Sequence, residues 1–211
     1  MKIKGKVYAI LVIMLCMAIV LPYKINAASA DTITLVDGST FNEKLKSLAP
    51  DATAVKFTKE AIPSDKIASA TLISESESKE AYMWLDETTV YVSPKEANTT
   101  IYANSNCYHM FYYGYGETSK IESIEFNNFD TSKVTMMDEM FISWGSLKSI
   151  DVSKFNTSKV TSMRYMFYGC RSLTSIDVSR FDTSNVTRMD SMFSRCRSLT
   201  SIDVSKFDTS N

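Results

Sequence analysis

Histidine is almost missing from the sequence, and this narrows the chemistry that the chain can perform. His109 is the only histidine among 211 residues, so Ser/His or Cys/His catalysis would depend wholly on it. The sequence also lacks a phosphate-binding glycine loop, a G-x-S-x-G nucleophile elbow, an H-E-x-x-H motif and a C-x-x-C pair. We therefore expect neither an enzyme nor a bound cofactor or metal, and we expect His109 to serve the structure.

Glycine, proline and net charge are also low. With 6 glycines and 4 prolines, no collagen-like or proline-rich segment is present. The formal net charge is −1, and without the first thirty residues 19 basic residues face 24 acidic ones. This mildly acidic balance argues against nucleic acid or an anionic lipid surface as the main partner.

Cysteine is scarce, with 4 residues. Cys16 lies in the apolar leader, which leaves three cysteines in the remainder, an odd number for an exported protein. Cys170 and Cys196 stand 26 residues apart in equal sequence contexts, so a disulfide between them is possible. Disulfide geometry is demanding, and we favour buried thiols.

The first thirty residues have the pattern of a secretory signal peptide. Three lysines in the first six residues precede an apolar run at 7–21, which is too short for a comfortable membrane span. Residues 28–30, Ala-Ser-Ala, fit a cleavage site. We expect a secreted or cell-surface protein with no membrane contact beyond this segment; an uncleaved N-terminal anchor is the alternative.

A 26-residue phrase dominates the second half of the chain. Phe129, Phe155, Phe181 and Phe207 begin successive copies, and residues 155–180 read FNTSKVTSMRYMFYGCRSLTSIDVSR. A fixed period of 20 to 50 residues is typical of stacked-repeat proteins. One copy buries too little apolar surface to offset the entropy of ordering it, so each copy needs its neighbours.

The pattern inside each copy predicts its local structure. Residues 173–181 fit the strand segment of a leucine-rich repeat, with Ile176 and Val178 alternating with polar residues. Val160, Met163, Met166 and Phe167 have spacings of three and four, which favour a short helix or 3₁₀ turn. The predicted fold is an α/β solenoid, a leucine-rich-repeat-like stack with one short parallel strand and one short helical return per copy.

The segment before the repeats predicts an α+β cap. Thr40 and Glu43 fit a helical capping box, with Phe41 and Leu45 on one helical face. A strand is expected at 55–58 and a hairpin at 82–85 and 90–92. The predicted organisation is therefore a signal peptide at 1–30, a cap at 31–106, a degenerate copy at 107–128, copies at 129–154, 155–180 and 181–206, and a truncated copy at 207–211.

The repeats carry a family resemblance. The patterns F-[DN]-T-S-[KN]-V-T-x-M-x-x-M-F and S-L-x-S-I-D-V-S resemble the BspA-type leucine-rich repeat surface proteins of bacteria, over residues 107–211. This resemblance implies a secreted or surface-attached protein, and some members are similar to adhesins that bind host matrix proteins or other bacteria. Since the sequence ends five residues into a new copy, we expect a fragment of a longer reading frame.

Equivalent positions in stacked copies form columns. The polar columns of the predicted strands, together with a neighbouring loop, are our predicted ligand face. It consists of polar strand residues and a tyrosine loop: Ser149, Asp151, Ser153, Ser175, Asp177, Ser179, Ser201, Asp203, Ser205, Tyr112, Tyr113 and Tyr115. Glu125, Asp151, Asp177 and Asp203 form an acidic column, whose charges would repel one another unless cations neutralise them. Calcium is one option, but pairing with Lys154, Arg180 and Lys206 is favoured because one carboxylate per copy makes a poor cage.

These features predict an exported repeat protein with a binding surface, which adheres to a host matrix protein, a glycan or other cells. Many weak contacts along one rigid surface would add up to useful affinity. The first alternative is a structural spacer or surface-layer rod that carries a further C-terminal module. A secreted enzyme is the second alternative, and the missing catalytic motifs disfavour it.

Overall fold

The protein is described by a computed structural model that covers residues 32–76, 78–114 and 119–210. The predicted signal peptide at 1–30 and Tyr115 of the predicted ligand face lie outside these residues. Within the described ranges, every helix is too short or too polar to cross a membrane.

One α-helix lies near the start of the described chain. Helix α1 spans Gly38–Leu48, and its N-cap is Asp37, whose carboxylate accepts a hydrogen bond from the Thr40 backbone N–H at 3.1 Å. The predicted capping box at Thr40 and Glu43 is therefore wrong, because Asp37 caps the helix one turn earlier. Phe41 and Leu45 are fully buried, as their spacing predicted.

Among the described residues, seven strands form two sheets in the first part of the chain. The strands are β1 (Thr32–Thr34), β2 (Ala54–Phe57), β3 (Thr71–Leu72), β4 (Ala81–Asp86), β5 (Thr89–Pro94), β6 (Thr100–Tyr102) and β7 (Ser123–Phe126), with a 3₁₀ turn at Ile67–Ser69 before β3. β1 and β6 pair in parallel, and the larger sheet has the order β3-β4-β5-β2-β7. β4 and β5 form the predicted antiparallel hairpin, while β2 pairs in parallel with both β5 and β7.

The predicted solenoid fold is wrong. The described structure is mostly β, with two sheets and one α-helix, and the repeats from 129 to 206 contain neither the predicted strands nor the predicted helical returns. The residues around Ile150, Ile176 and Ile202 have no regular secondary structure, so no parallel sheet joins them.

Local backbone chemistry explains this error. The carboxylate of Asp177 accepts a hydrogen bond from the Ser179 N–H at 2.9 Å, which turns the chain inside the predicted strand. Tyr165 and Gly169 have φ values of 55° and 74°, and a left-handed residue every four positions interrupts a helix before it can extend.

Successive copies are nevertheless joined in register by backbone hydrogen bonds. Single parallel bridges connect Met136 to Ser162 and Ser162 to Arg188. The Phe141 N–H donates to the Met166 carbonyl at 2.8 Å, and the bond from Phe167 to Met192 repeats it at 2.9 Å. The rings of Phe111, Phe141, Phe167 and Phe193 stack face to face at 5.3, 5.2 and 5.6 Å.

Threonine hydroxyls provide a second link between copies. Thr157 Oγ1 donates to the Asp182 carbonyl at 2.9 Å and accepts from the Asp182 N–H at 2.8 Å. Thr131 makes the same pair of bonds to Asn156, and Thr183 makes them to Asp208. This explains why the F-x-T-S phrase recurs with an invariant threonine in the three copies.

The core is continuous from the first strands through the repeats. It includes helix α1, the larger sheet and the phenylalanines and methionines of each copy. Ile176 is only partly buried, in contrast to Val178 at 2% exposure. The apolar positions of the repeats are thus explained by packing, and the methionine columns need no cofactor.

Candidate functional site

All nine serine and aspartate side chains of the predicted ligand face are exposed. They occupy equivalent positions in the three copies: Ser149, Asp151, Ser153, Ser175, Asp177, Ser179, Ser201, Asp203 and Ser205. The structure therefore places them on the surface, as a binding face requires. They lie in irregular segments rather than on strands.

The aspartates of this face have a structural task. Asp151, Asp177 and Asp203 each accept a hydrogen bond at 2.9 Å from the N–H of the serine two residues later. The same serine lowers the pKa of each carboxyl, first through a hydrogen bond with its side chain and then through its backbone N–H. The predicted basic partners Lys154, Arg180 and Lys206 lower the pKa further, but only as a smaller, longer-range effect.

The acidic column does not form a metal site among the described residues. No group of three or more histidine, cysteine, aspartate or glutamate side chains there could hold an ion. The hydrogen bonds from the serines explain the lowered pKa of these aspartates, and this explanation does not require a cation.

The two described tyrosines of the predicted loop differ in their surroundings. Tyr112 is half-buried, and its ring stacks on the His109 ring at 4.0 Å, with the Lys46 ammonium 5.5 Å from the ring centre. Tyr113 is buried beside Trp144, and burial raises the pKa of its phenol. Tyr113 therefore packs the interior, and only Tyr112 is available to a ligand.

A second surface is revealed by the positions at which the three copies differ. At one equivalent position the three copies carry Glu139, Tyr165 and Ser191, whose side chains differ in size and charge. The serines and aspartates described above are instead the same in every copy. The neighbouring positions also vary. We call this surface the variable face; its residues are Tyr108, His109, Tyr112, Asp138, Glu139, Arg164, Tyr165, Tyr168, Asp190 and Arg195.

Contacts connect residues of the variable face from Tyr108 and His109 to Asp190 in the copy at 181–206. His109 Nε2 lies 2.9 Å from Glu139 Oε2, and its ring stacks on Tyr108 at 3.6 Å. Arg164 Nε donates to both carboxylate oxygens of Asp190, at 2.9 and 3.0 Å. The Asp138 carboxylate accepts a hydrogen bond from the Arg164 backbone N–H at 2.9 Å, so the face is one connected strip.

Aromatic and cationic groups alternate on this strip. The guanidinium of Arg164 lies 5.3 Å from the Tyr165 ring centre, and that of Arg195 lies 5.2 Å from the Tyr168 ring centre. The two tyrosine rings meet edge to face at 5.6 Å. These side chains are half-buried or exposed, so they are ordered by contacts and still reach the surface.

The backbone beneath the variable face is strained in every copy. His109, Glu139, Tyr165 and Ser191 have φ values of 61°, 57°, 55° and 58°. A left-handed non-glycine residue costs about 1–2 kcal/mol, and such strain is concentrated at functional sites. Contacts with the surrounding residues must offset this cost to hold the four residues in the left-handed conformation.

The cysteines of the described residues lie in the interior of the protein. Cys107, Cys170 and Cys196 are buried free thiols. The thiols of Cys170 and Cys196 donate to the carbonyls of Phe141 and Phe167 at 3.2 and 3.1 Å. Burial raises the pKa of Cys107 to about 12, so that thiol stays protonated near neutral pH.

Comparison with known proteins places the repeats in a family. Residues 105–211 match the family described as "Mycoplasma protein of unknown function, DUF285". The chain belongs to this family. The DUF285 match begins at Ser105, next to the parallel bridge between Asn106 and Met136, and it covers the bridges that join one copy to the next. No match was found among curated proteins or among solved structures.

Sequence reasoning missed most of the variable face of this DUF285 protein. It selected invariant polar residues, although invariance among copies is equally explained by a structural role such as the Asp177 turn. The available signal was the opposite one, because Glu139, Tyr165 and Ser191 differ within an otherwise repeated phrase. Positions that are free to vary in a fixed scaffold are the ones that can be adapted to a ligand.

Proposed function

We propose that this DUF285 protein is an exported, non-enzymatic binding protein that adheres to a protein ligand through its variable face. The observation that carries the proposal is the continuous strip of tyrosine and arginine side chains at the positions where the copies differ. Tyrosine and arginine are enriched at protein interfaces and dominate their binding energy.

Order in the unbound protein favours affinity. Arg164 is held by Asp190, and Tyr165 packs against Tyr168, so fewer side-chain rotamers are lost when a partner binds. The surface carries both acids and bases, which selects a partner with a complementary charge pattern rather than any highly charged polymer.

The serine and aspartate face serves this function indirectly. Its carboxylates fix a turn in each copy and so support the repeated backbone that carries the variable face. Export rests on the signal-peptide pattern of residues 1–30.

Binding of the purified protein to immobilised extracellular-matrix proteins and to whole cells tests the proposal. The test variant is Tyr165→Ser with Tyr168→Ser, since serine stands at both equivalent positions in the next copy and suits the fold. Loss of two aromatic anchors should weaken binding at least tenfold, on the order of 1.4 kcal/mol or more.

The control variant is Ser175→Ala on the invariant face, which is expected to bind as the unaltered protein does. Circular dichroism confirms that both variants are folded. A loss of binding with Ser175→Ala, or full binding by the double serine variant, would contradict the assignment. Absence of saturable binding to every matrix protein and cell type would remove the proposal altogether.

A further inference from the structure

A separate cavity lies where the first strands meet the first copy, away from the variable face. It has a volume of about 310 Å³, with Lys59, Asn127 and Lys154 among its exposed lining residues and Asn128 among its buried ones. We call it the junction groove. A smaller cavity of about 110 Å³ shares Asn127 and Lys154 with it and extends to Asp151. Ligand sites in proteins commonly begin at about 300 Å³.

Asn128 is a fixed polar group in this groove. Its side chain is 4% exposed, and Nδ2 donates to the carbonyls of Thr58 and Thr99, both at 2.9 Å. Both bonds use the amide nitrogen, so the amide oxygen is the acceptor end of this fixed side chain, which lines the groove. The two carbonyls come from different parts of the first segment, so the amide is held in one orientation.

Two lysines at the groove have no ion pair in the described ranges. Lys59 and Lys154 differ in this respect from Lys56, which pairs with Glu125 at 2.9 Å. Glu125 also accepts from Asn127 at 3.3 Å, so its charge is already engaged. In the lining of this cavity, the two lysines outnumber the one carboxylate, Asp130, and Lys154 also acts on Asp151 at longer range.

Hydrogen-bond acceptors stand beside these cations. Asp130 uses one carboxylate oxygen to accept the Ser132 N–H at 2.7 Å, and Asp151 does the same with Ser153 at 2.9 Å. Asp130 keeps its second oxygen as an acceptor, whereas the Asp151 carboxyl also has the Ser153 side chain as a partner. The groove therefore combines ammonium donors, carboxylate acceptors and an oriented amide within one small volume.

We propose that the junction groove binds an acidic saccharide. Sugar hydroxyls both donate and accept, so they can satisfy the Asn128 oxygen and the aspartates, while a carboxylate on the sugar would pair with Lys59 or Lys154. An acidic peptide fits less well, because the lining residues Phe126 and Phe129 are 6% and 5% exposed and offer a peptide side chain little apolar surface to pack on. This site is independent of the protein ligand proposed for the variable face.

Isothermal titration calorimetry of the protein against four probes tests the proposal. The probes are a hyaluronan oligosaccharide and polygalacturonate fragments as acidic sugars, a malto-oligosaccharide as a neutral sugar, and oligoglutamate as an acidic peptide. We expect saturable binding of at least one acidic sugar and weaker or undetectable binding of the other two probes. Removal of one charge-assisted contact with Lys154→Gln should weaken that binding about tenfold.

Lys148→Gln is the matched control, because Lys148 is an exposed lysine of the same copy that does not line the groove. Asp130→Asn is a second test variant, and its fold is safe since Asn156 occupies the equivalent position in the next copy. Equal binding of oligoglutamate, equal binding of the neutral sugar, equal losses with Lys148→Gln and Lys154→Gln, or no binding of any acidic sugar would each overturn the proposal.

Discussion

Replacing Thr157 by valine should destabilise the protein far more than the loss of one oxygen atom suggests. Valine has nearly the shape of threonine, so packing is preserved. Thr157 is 1% exposed, and its hydroxyl bonds to both the N–H and the carbonyl of Asp182 in the next copy. The substitution removes both bonds and leaves two backbone groups without this partner.

The magnitude follows from the two bonds. Each contributes about 0.5–1.5 kcal/mol net, and an unsatisfied buried group adds to the loss, so we expect about 1–3 kcal/mol. Thr161→Val is the matched control. The Thr161 hydroxyl lies in an exposed side chain and bonds to the Thr135 carbonyl at 3.1 Å, and the Thr161 N–H already donates to that carbonyl at 2.9 Å. The expected loss there is about 0.5 kcal/mol or less.

Urea unfolding followed by circular dichroism measures both free energies, and amide hydrogen exchange at Asp182 reports the local bond. Thr157→Ser keeps the hydroxyl and should retain the exchange protection of Asp182 that Thr157→Val loses. Equal destabilisation by Thr157→Val and Thr161→Val, with unchanged exchange at Asp182, would refute this account of how copies are joined.

Three other perturbations have definite expectations. Gly38→Ala should cost about 1–3 kcal/mol, because the added Cβ would lie within 2.4 Å of the Tyr108 carbonyl oxygen; an unchanged thermal midpoint would contradict this. The Cys107 thiol should react with a thiol reagent at pH 8 only after denaturation, because its pKa is about 12; rapid labelling of native protein would be the contrary result. Folding lowers the pKa of Asp151 and Asp177 below 3.8, so their stabilisation is present above that pH and lost as pH falls below it; Asp177→Asn should flatten this part of the stability profile, and an unchanged slope would oppose it.

The sequence predicted those features that depend on one strong local signal. The hairpin at β4 and β5 followed from two alternating runs separated by a short turn. Most apolar positions of the repeats, including Phe167 and Met166, are buried as their recurrence indicated, whereas Val204 in the last copy is exposed. An apolar pattern predicts which side chains are buried, and it does so for any backbone conformation.

The backbone shape of the repeats was not predictable from the same pattern. Spacings of three and four fit a helix, but they also fit consecutive turns with left-handed residues at Tyr165 and Gly169. Glycine is a recognised sign of such a conformation, yet Ser143 and Arg195 adopt it at the equivalent positions with φ values of 62° and 63°. Contacts with the neighbouring copies, which a single sequence does not display, decide the outcome.

The candidate site shows the same limit. Exposure of Ser175 and Asp177 was correctly anticipated, but the side-chain bond that gives Asp177 its structural task depends on the turn itself. The junction groove brings Lys59 and Lys154 together from opposite sides of the segment boundary, and only the folded chain reveals that neighbourhood.

The junctions between copies are nearly interchangeable, and this has an evolutionary consequence. Thr131, Thr157 and Thr183 make the same bonds to the residue 25 positions later, so removal or duplication of a whole 26-residue unit would create no new kind of contact. Unequal recombination within such a gene would lengthen or shorten the strip in discrete steps. Each added step would supply a fresh set of side chains for selection to act on, at no cost to those already adapted.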